Sequence, residues 1–238
     1  MKLIQLLESQ FPTSKEEVEE VLKKYRIEEY IINDDLTVDV KGDVELRRFN
    51  ITTIPVVFGK VSGDFNCAFI GLVSLEGSPK EVGGVFNCAG NEIESLKDGP
   101  IKVGGSYIVG KNKITSLDGA PREVGGDFRC SSNVLTNLKG SPKEIGGDFA
   151  CNDCKLESLG GAPREVGGDF WCNNNKLVSL EGAPREVGGD FNCADNQLTS
   201  LKGSPKNVGG YFNCFDNHKL TSLAGIGNVE GPLFSDVS

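Results

Sequence analysis

Cys151-Asn152-Asp153-Cys154 is a C-x-x-C, the spacing at which two thiols form a redox pair or supply half of a zinc site. Nothing around it completes either chemistry. No second Cys pair follows, and the chain's single histidine, His218, lies far along the sequence. A Ser-His-Asp triad or a His-rich metal site has no material. No G-x-x-x-x-G-K-[ST] occurs, and the frequent Gly pairs lack the strand–helix setting of a phosphate loop. Paired acids are many, but they recur at a fixed interval, which points to architecture rather than to general acid–base work. The expectation is a non-enzyme with no catalytic residue, no metal and no cofactor.

Cys151 belongs to a larger pattern. Cys67, Cys88, Cys130, Cys151, Cys172, Cys193 and Cys214 keep a 21-residue phase, Val109 fills the missing rung, and Leu46 fits one step earlier. The unit reads roughly L-x-S-L-x-G-x-P-x-x-V-G-G-D-F-x-C-x-x-N-x. A fixed period of this length predicts a solenoid, whose coils contact only their neighbours. Thiols stacked one coil apart sit about 4.8 Å from each other, and a disulfide wants its Cβ atoms about 3.8 Å apart. Buried, reduced cysteine acting as a small hydrophobe follows.

The other columns position these residues. An aromatic precedes each Cys by two, from Phe65 through Tyr107 to Phe212. Val61 to Val208 lie six before, and Leu or Ile lie five and eight after. F-x-C is a short strand with two inward side chains. Asn91, Asn112, Asn133, Asn175, Asn196 and Asn217 lie three after the Cys. Their amides offer both donors and an acceptor to the backbone of their own coil and the next. Gly pairs before the strand predict positive φ or close backbone approach, and the Pro column from Pro79 to Pro205 makes the return side extended and non-helical.

The ends differ. Residues 39–55 form a degenerate coil with Ile51 and Ile54 in the Leu columns. His218-Lys219 adds a residue before Leu220, and Leu233 begins a last partial strand. Before Asp35 the pattern becomes helical. Leu3, Ile4, Leu6 and Leu7 suggest a first helix, and Thr13 or Ser14 with Glu16 and Glu17 suits a capped start of a second, whose apolar face is Val18, Val21, Leu22 and Tyr25. The division is residues 1–34 as an N-terminal helical cap and 35–238 as about nine coils. The leading alternative makes the helices a separate docking element.

A formal charge of −9 and a pI near 4.8 argue against nucleic acid and anionic membranes. The N-terminus lacks a signal peptide's cleavage site, and no apolar run reaches spanning length. A cytoplasmic protein is expected.

The segment F-x-C-x-x-N-x-L matches L-x-L-x-x-N-x-L with Phe and Cys in the first two Leu places. The chain thus resembles leucine-rich-repeat proteins. It resembles more closely the repeat proteins of tailed bacteriophages, whose units read like SPKEVGGDFNC and NKLTSLEG, over about Asp35 to the C-terminus. The resemblance implies a leucine-rich-repeat-like solenoid, with short parallel strands on one face and extended or turn segments on the return. It also implies a host-directed role, binding and blocking or redirecting a bacterial protein such as a defence component, in the host cytoplasm.

The inner columns hardly vary, whereas the outward residues flanking Phe and Cys do. Such variation on one face is what a binding surface looks like. Trp171, the only Trp, should face outward with Arg129, Tyr211 and Phe215. Asp127, Asp148, Asp169 and Asp190 would stack as a like-charge ladder. That ladder is either bonded to nearby Gly amides, matched to a basic partner, or closed around a cation. These eight residues form the candidate partner site. Two other functions fit the residues: a self-assembling virion component, and a small-ligand or sugar binder stacking on Trp171 amid Asn152, Asn173 and Asn192. The Lys-Glu and Arg-Glu pairs from Lys80-Glu81 to Arg185-Glu186 read as a solvated face.

Overall fold

The structure, a computed structural model, describes residues 11–237. The helix expected around Leu3–Leu7 lies outside them.

The chain is a parallel β-solenoid of about nine turns. The F-x dipeptides pair in parallel one repeat apart, Phe65 with Phe86, Phe86 with Tyr107, and on to Phe212 with Leu233. They form a ten-stranded sheet in strict chain order, from Val44–Glu45 to Leu233–Phe234. The return side is more regular than expected. The dipeptides Glu81–Val82, Lys102–Val103, Glu123–Val124 and Glu144–Ile145 also pair in parallel, and a four-stranded sheet continues from Glu165–Val166 to Asn228–Val229. Apart from the last, Val229, their Val or Ile is buried and the Glu, Lys or Asn before it half-buried or exposed, the alternation of a strand with one wet face. Pro lies two residues upstream, so it removes no ladder amide.

At the start, α1 spans Lys15–Lys24. Ser14 is its N-cap, its Oγ accepting the Glu17 amide, while Glu17 Oε2 accepts the Thr13 amide and hydroxyl. Val18 and Leu22 are buried in the same core as the coils. The helix ends earlier than the expected boundary at 34. Tyr30–Ile32 is a strand, β1, paired antiparallel with β2 (Val38–Val40). The reason is local: Tyr-Ile-Ile favours strand, and Asn33–Leu36 turns. The Leu36 amide donates to Asn33 O, and Asp35 Oδ1 accepts the Thr37 amide and hydroxyl. Next come β3 (Val44–Glu45), β4 (Phe58–Val61) and β5 (Phe65–Asn66), with β2 parallel to β4 and β3 to β5.

The interior is made of columns. Rings from Phe65 to Phe212 stack with centroids 5.2–5.7 Å apart, close to parallel. The seven column cysteines are buried and free beside them. Burial pushes the thiols up, Cys154 to about 11 and the column thiols further where they are fully enclosed.

The Asn ladder spans coils in the direction opposite to that expected. Asn133 Nδ2 donates to Cys130 O of its own coil and to Val109 O of the preceding one, and Asn133 Oδ1 accepts the Ile114 amide, also of the preceding coil. The following coil is held by its own Asn. The Gly pairs serve close approach rather than positive φ. A Cβ on Gly125 would run into Gly104 O, and one on Gly147 into Asp127 Oδ1. The second Gly of the pair makes room for the Asp carboxylate of the coil before it.

Candidate partner-binding face

The outer face of the ten-stranded sheet carries every residue singled out for recognition, and its chemistry starts with the Asp column. Asp127 Oδ1 accepts the Asp148 amide, Asp148 Oδ1 the Asp169 amide, Asp169 Oδ1 the Asp190 amide, and Asp190 Oδ1 the Tyr211 amide, at 2.7–3.1 Å. The acceptors thus serve the same column one coil later, not the neighbouring Gly amides. The like-charge ladder has a compensating bond at each step, and one oxygen of each carboxylate is occupied. At Ser106 a hydroxyl does the same for Asp127.

The remaining oxygens of Asp127 and Asp148 draw in Arg129. Arg129 Nε and Nη2 fork onto Asp127 Oδ2 at 3.1 and 2.7 Å, and Nη2 lies 3.8 Å from Asp148 Oδ2. Planar guanidinium matched to carboxylate fixes this side chain more firmly than a lysine would be. Along the strand register Arg129 neighbours Ala150, and Ala150 neighbours Trp171. Ala150 points outward yet is only 4% exposed, so the two large neighbours cover it. Trp171 is half-buried. Asp127, Arg129, Asp148, Ala150 and Trp171 therefore make one contiguous patch.

Tyr211 and Phe215 stand two coils further along. The Tyr211 ring meets Phe234 edge-on at 5.7 Å, and Phe215 is 45% exposed. Partial burial raises the Tyr211 phenol above its usual range, with Asp190 and Asp169 adding to it. This second patch includes Leu233 and Phe234, both largely exposed. The sequence places Leu233 in a last partial strand, but the phase slip after His218 hides that Phe234 takes the outward place beside Asn213.

A further column escaped notice. The residue two after each Cys is left-handed: Phe69, Lys111, Ser132, Asp153, Asn174, Asp195 and Asp216 all have φ of 52–58°, and Gly90 joins them at 68°. Asn, Asp and Gly suit that conformation and an aromatic does not. Phe69 nonetheless occupies it, 58% exposed, with the Arg47 guanidinium 5.5 Å from its ring centre.

The C-x-x-C proves to be two columns meeting. Cys151 is on the Cys rung, and Cys154 takes the Asn place, its Sγ donating to Cys130 O at 3.6 Å. Among the described residues, the one group of three metal-type side chains is Asp216, His218 and Asp236, all exposed. Asp236 Oδ2 there accepts the Asp216 amide at 2.7 Å, continuing the coil-to-coil bonding. No helix among the described residues is long and apolar enough to cross a membrane.

Compared with known proteins, the chain matches no family model, no curated protein and no solved structure.

Proposed function

We propose that this chain is a non-catalytic protein–protein interaction module that binds through the outer face of its ten-stranded sheet. One observation carries the reading. The inward columns hold one residue type over many coils, while the outward positions change, and at one place the change assembles a fixed Arg129 fork beside a half-buried Trp171. Trp and Arg are the residues that most often concentrate binding energy. A surface held by backbone ladders on both sides loses little entropy on binding. The resemblance to leucine-rich-repeat and phage repeat proteins supports a finer version: a phage-type protein, capped by α1, that engages a bacterial host protein in the cytoplasm and inhibits or redirects it.

The test is retention of bacterial proteins by the immobilised wild type and by an Arg129→Ala, Trp171→Ala double variant, followed by titration of the purified partner. The reading expects one stoichiometric partner, bound at least tenfold more weakly by the variant. Equal binding by both proteins removes the outer face as the site.

A further inference from the structure

The N-terminal end holds a cleft of about 280 Å³ between the end of α1 and the outer edge of β3, lined by Tyr25, Arg26, Ile27, Asp43, Glu45, Arg48 and Phe49. Three features of its walls point the same way.

The first is an unused strand edge. In β3 the amides of Val44 and Leu46 donate to Asp64 O and Asn66 O, so Val44 and Leu46 face β5. The main-chain groups of Asp43 and Glu45 then point away from the sheet, towards the cleft they line. In every later coil the matching groups pair with the coil before. Here α1 and the β1–β2 hairpin stand at the end of the solenoid, and no strand covers β3 among the described residues.

The second is charge. The chain is acidic overall, yet Arg26, Arg47 and Arg48 gather at this end. Arg26 and Arg48 have no carboxylate within ion-pair distance among the described residues, although two acids line the same cleft. Those acids are engaged elsewhere. Asp43 Oδ1 accepts the Asp64 amide, Glu45 Oε1 the Arg47 amide, and Glu45 Oε2 the Asn66 side-chain amide.

The third is backbone strain. α1 closes with the Ile27 amide donating to Leu22 O and the Arg26 amide to Lys23 O, which leaves Arg26 left-handed at φ 57°. Glycine is the usual residue at this place in such a closure. An arginine there is disfavoured by the helix end, and it lines the cleft.

We propose that this cleft takes an extended acidic peptide segment of a partner protein, added as a strand to the free edge of β3. Backbone pairing with Asp43 and Glu45 gives the register. A carboxylate of the segment meets Arg26 and Arg48, and an alternate apolar side chain rests on Tyr25, Ile27 and Phe49, whose first and last rings already meet edge-on at 4.9 Å. This site is separate from the outer sheet face.

The probe is a displayed library of random heptapeptides, selected on the wild type and on an Arg26→Glu, Arg48→Glu variant. The wild type is expected to enrich peptides with Asp or Glu next to an apolar residue. The leading synthetic peptide should bind the variant at least tenfold more weakly, and should slow exchange of the Glu45 amide at least tenfold. Arg26→Gly separates folding from binding: it should raise Tm, because glycine suits the left-handed position, and still weaken the peptide. An enrichment without acids, equal binding by the charge-reversed variant, an unprotected Glu45 amide, or binding lost on Trp171→Ala would each overturn the proposal.

Discussion

Asn133 and Asp148 each tie one coil to its neighbour through the backbone, the first from inside the solenoid and the second from its outer face. Asn133 is 5% exposed and makes three bonds, accepting the Ile114 amide and donating to Val109 O and Cys130 O. Asp148 is half-buried and accepts one amide, that of Asp169. Water can replace the bond that Asp148 makes and cannot reach those of Asn133. Inside, the residue must both donate and accept, so Asn recurs. Outside, an acceptor suffices, so Ser106 serves in one coil and Val85 in another does without. Burial, rather than the number of bonds, decides which column is free to vary and hence which face can evolve a partner.

The largest expected effect tests how closed the interior is. All eight thiols are held above their ordinary value by burial. A group whose folded pKa is raised stabilises fully below its unfolded pKa, and that stability is lost as pH rises towards the folded value. The unfolded thiols ionise near 9, so loss begins there and continues through Cys154's value of about 11. Each thiol contributes about 1.4 kcal/mol per pH unit, on the order of 10 kcal/mol together. That rivals the whole stability of a typical domain. Thermal melts in reductant should therefore collapse between about pH 9 and 10.5 while staying level from pH 7 to 8.5. A level Tm through pH 10.5 would show that the thiols are open to water in the native state.

Next in size is the comparison itself. Asn133→Ala strands the Ile114 amide in the interior, leaves Val109 O with Asn112 Nδ2 alone and Cys130 O with only the Cys154 thiol, and should cost about 2–3 kcal/mol in urea unfolding. Asp148→Ala frees one half-exposed amide and releases a weak Arg129 contact, and should cost about 1 kcal/mol. Similar losses for the two would mean that the ladders are equally solvated, and the argument from burial would fail. The second Gly of each pair gives a check on the outer ladder. Gly147→Ala sets a methyl against the Asp127 carboxylate, so it should be damaging in the wild type and less so with Asp127→Ala.

The 21-residue phase, the inward Phe, Cys, Val and Leu columns and the turn of the chain at each Gly pair were readable because each is a repeated constraint. A buried column tolerates one residue type, and seven copies each of Phe, Cys and Val stand out. The second parallel sheet was hidden because two-residue strands leave too little alternation to distinguish Glu-Val from an extended link. The left-handed column was hidden because Phe69, Gly90, Lys111 and Asp153 share a conformation without sharing a chemistry. The outer patch was only half legible. Trp171 was conspicuous by type, but nothing in the order of residues says that Arg129 forks onto Asp127 rather than facing a partner. The cleft beside β3 was not visible at all, since it joins a helix end to a strand edge through a hairpin that read as helix.

The smallest expected effect is the sharpest test of the Asn ladder, because it asks for a gain. Between Asn91 and Asn217, Cys154 is the one rung where the ladder lacks its amide, and its thiol donates a long bond to Cys130 O at 3.6 Å. The Leu135 amide points at this sulfur, a weak acceptor. In Cys154→Asn, the new Oδ1 should take the Leu135 amide and the new Nδ2 should donate to Cys130 O and Cys151 O, as Asn175 does to Cys151 O and Cys172 O one coil later. The Leu135 amide then gains an amide-grade acceptor, and Cys130 O and Cys151 O, which already accept Asn133 Nδ2 and Asn175 Nδ2, each gain a second amide donor at no cost in packing. The expected gain is about 1 kcal/mol, or roughly 2–4 °C in Tm for a chain of this length. Because Cys154 is also one of the titrating thiols, its loss should lessen the alkaline collapse by about an eighth. A variant no more stable than the wild type at pH 7 would mean that sulfur already satisfies this rung. The inner ladder would then be defined by shape alone, and the contrast with the outer Asp column would lose its cause.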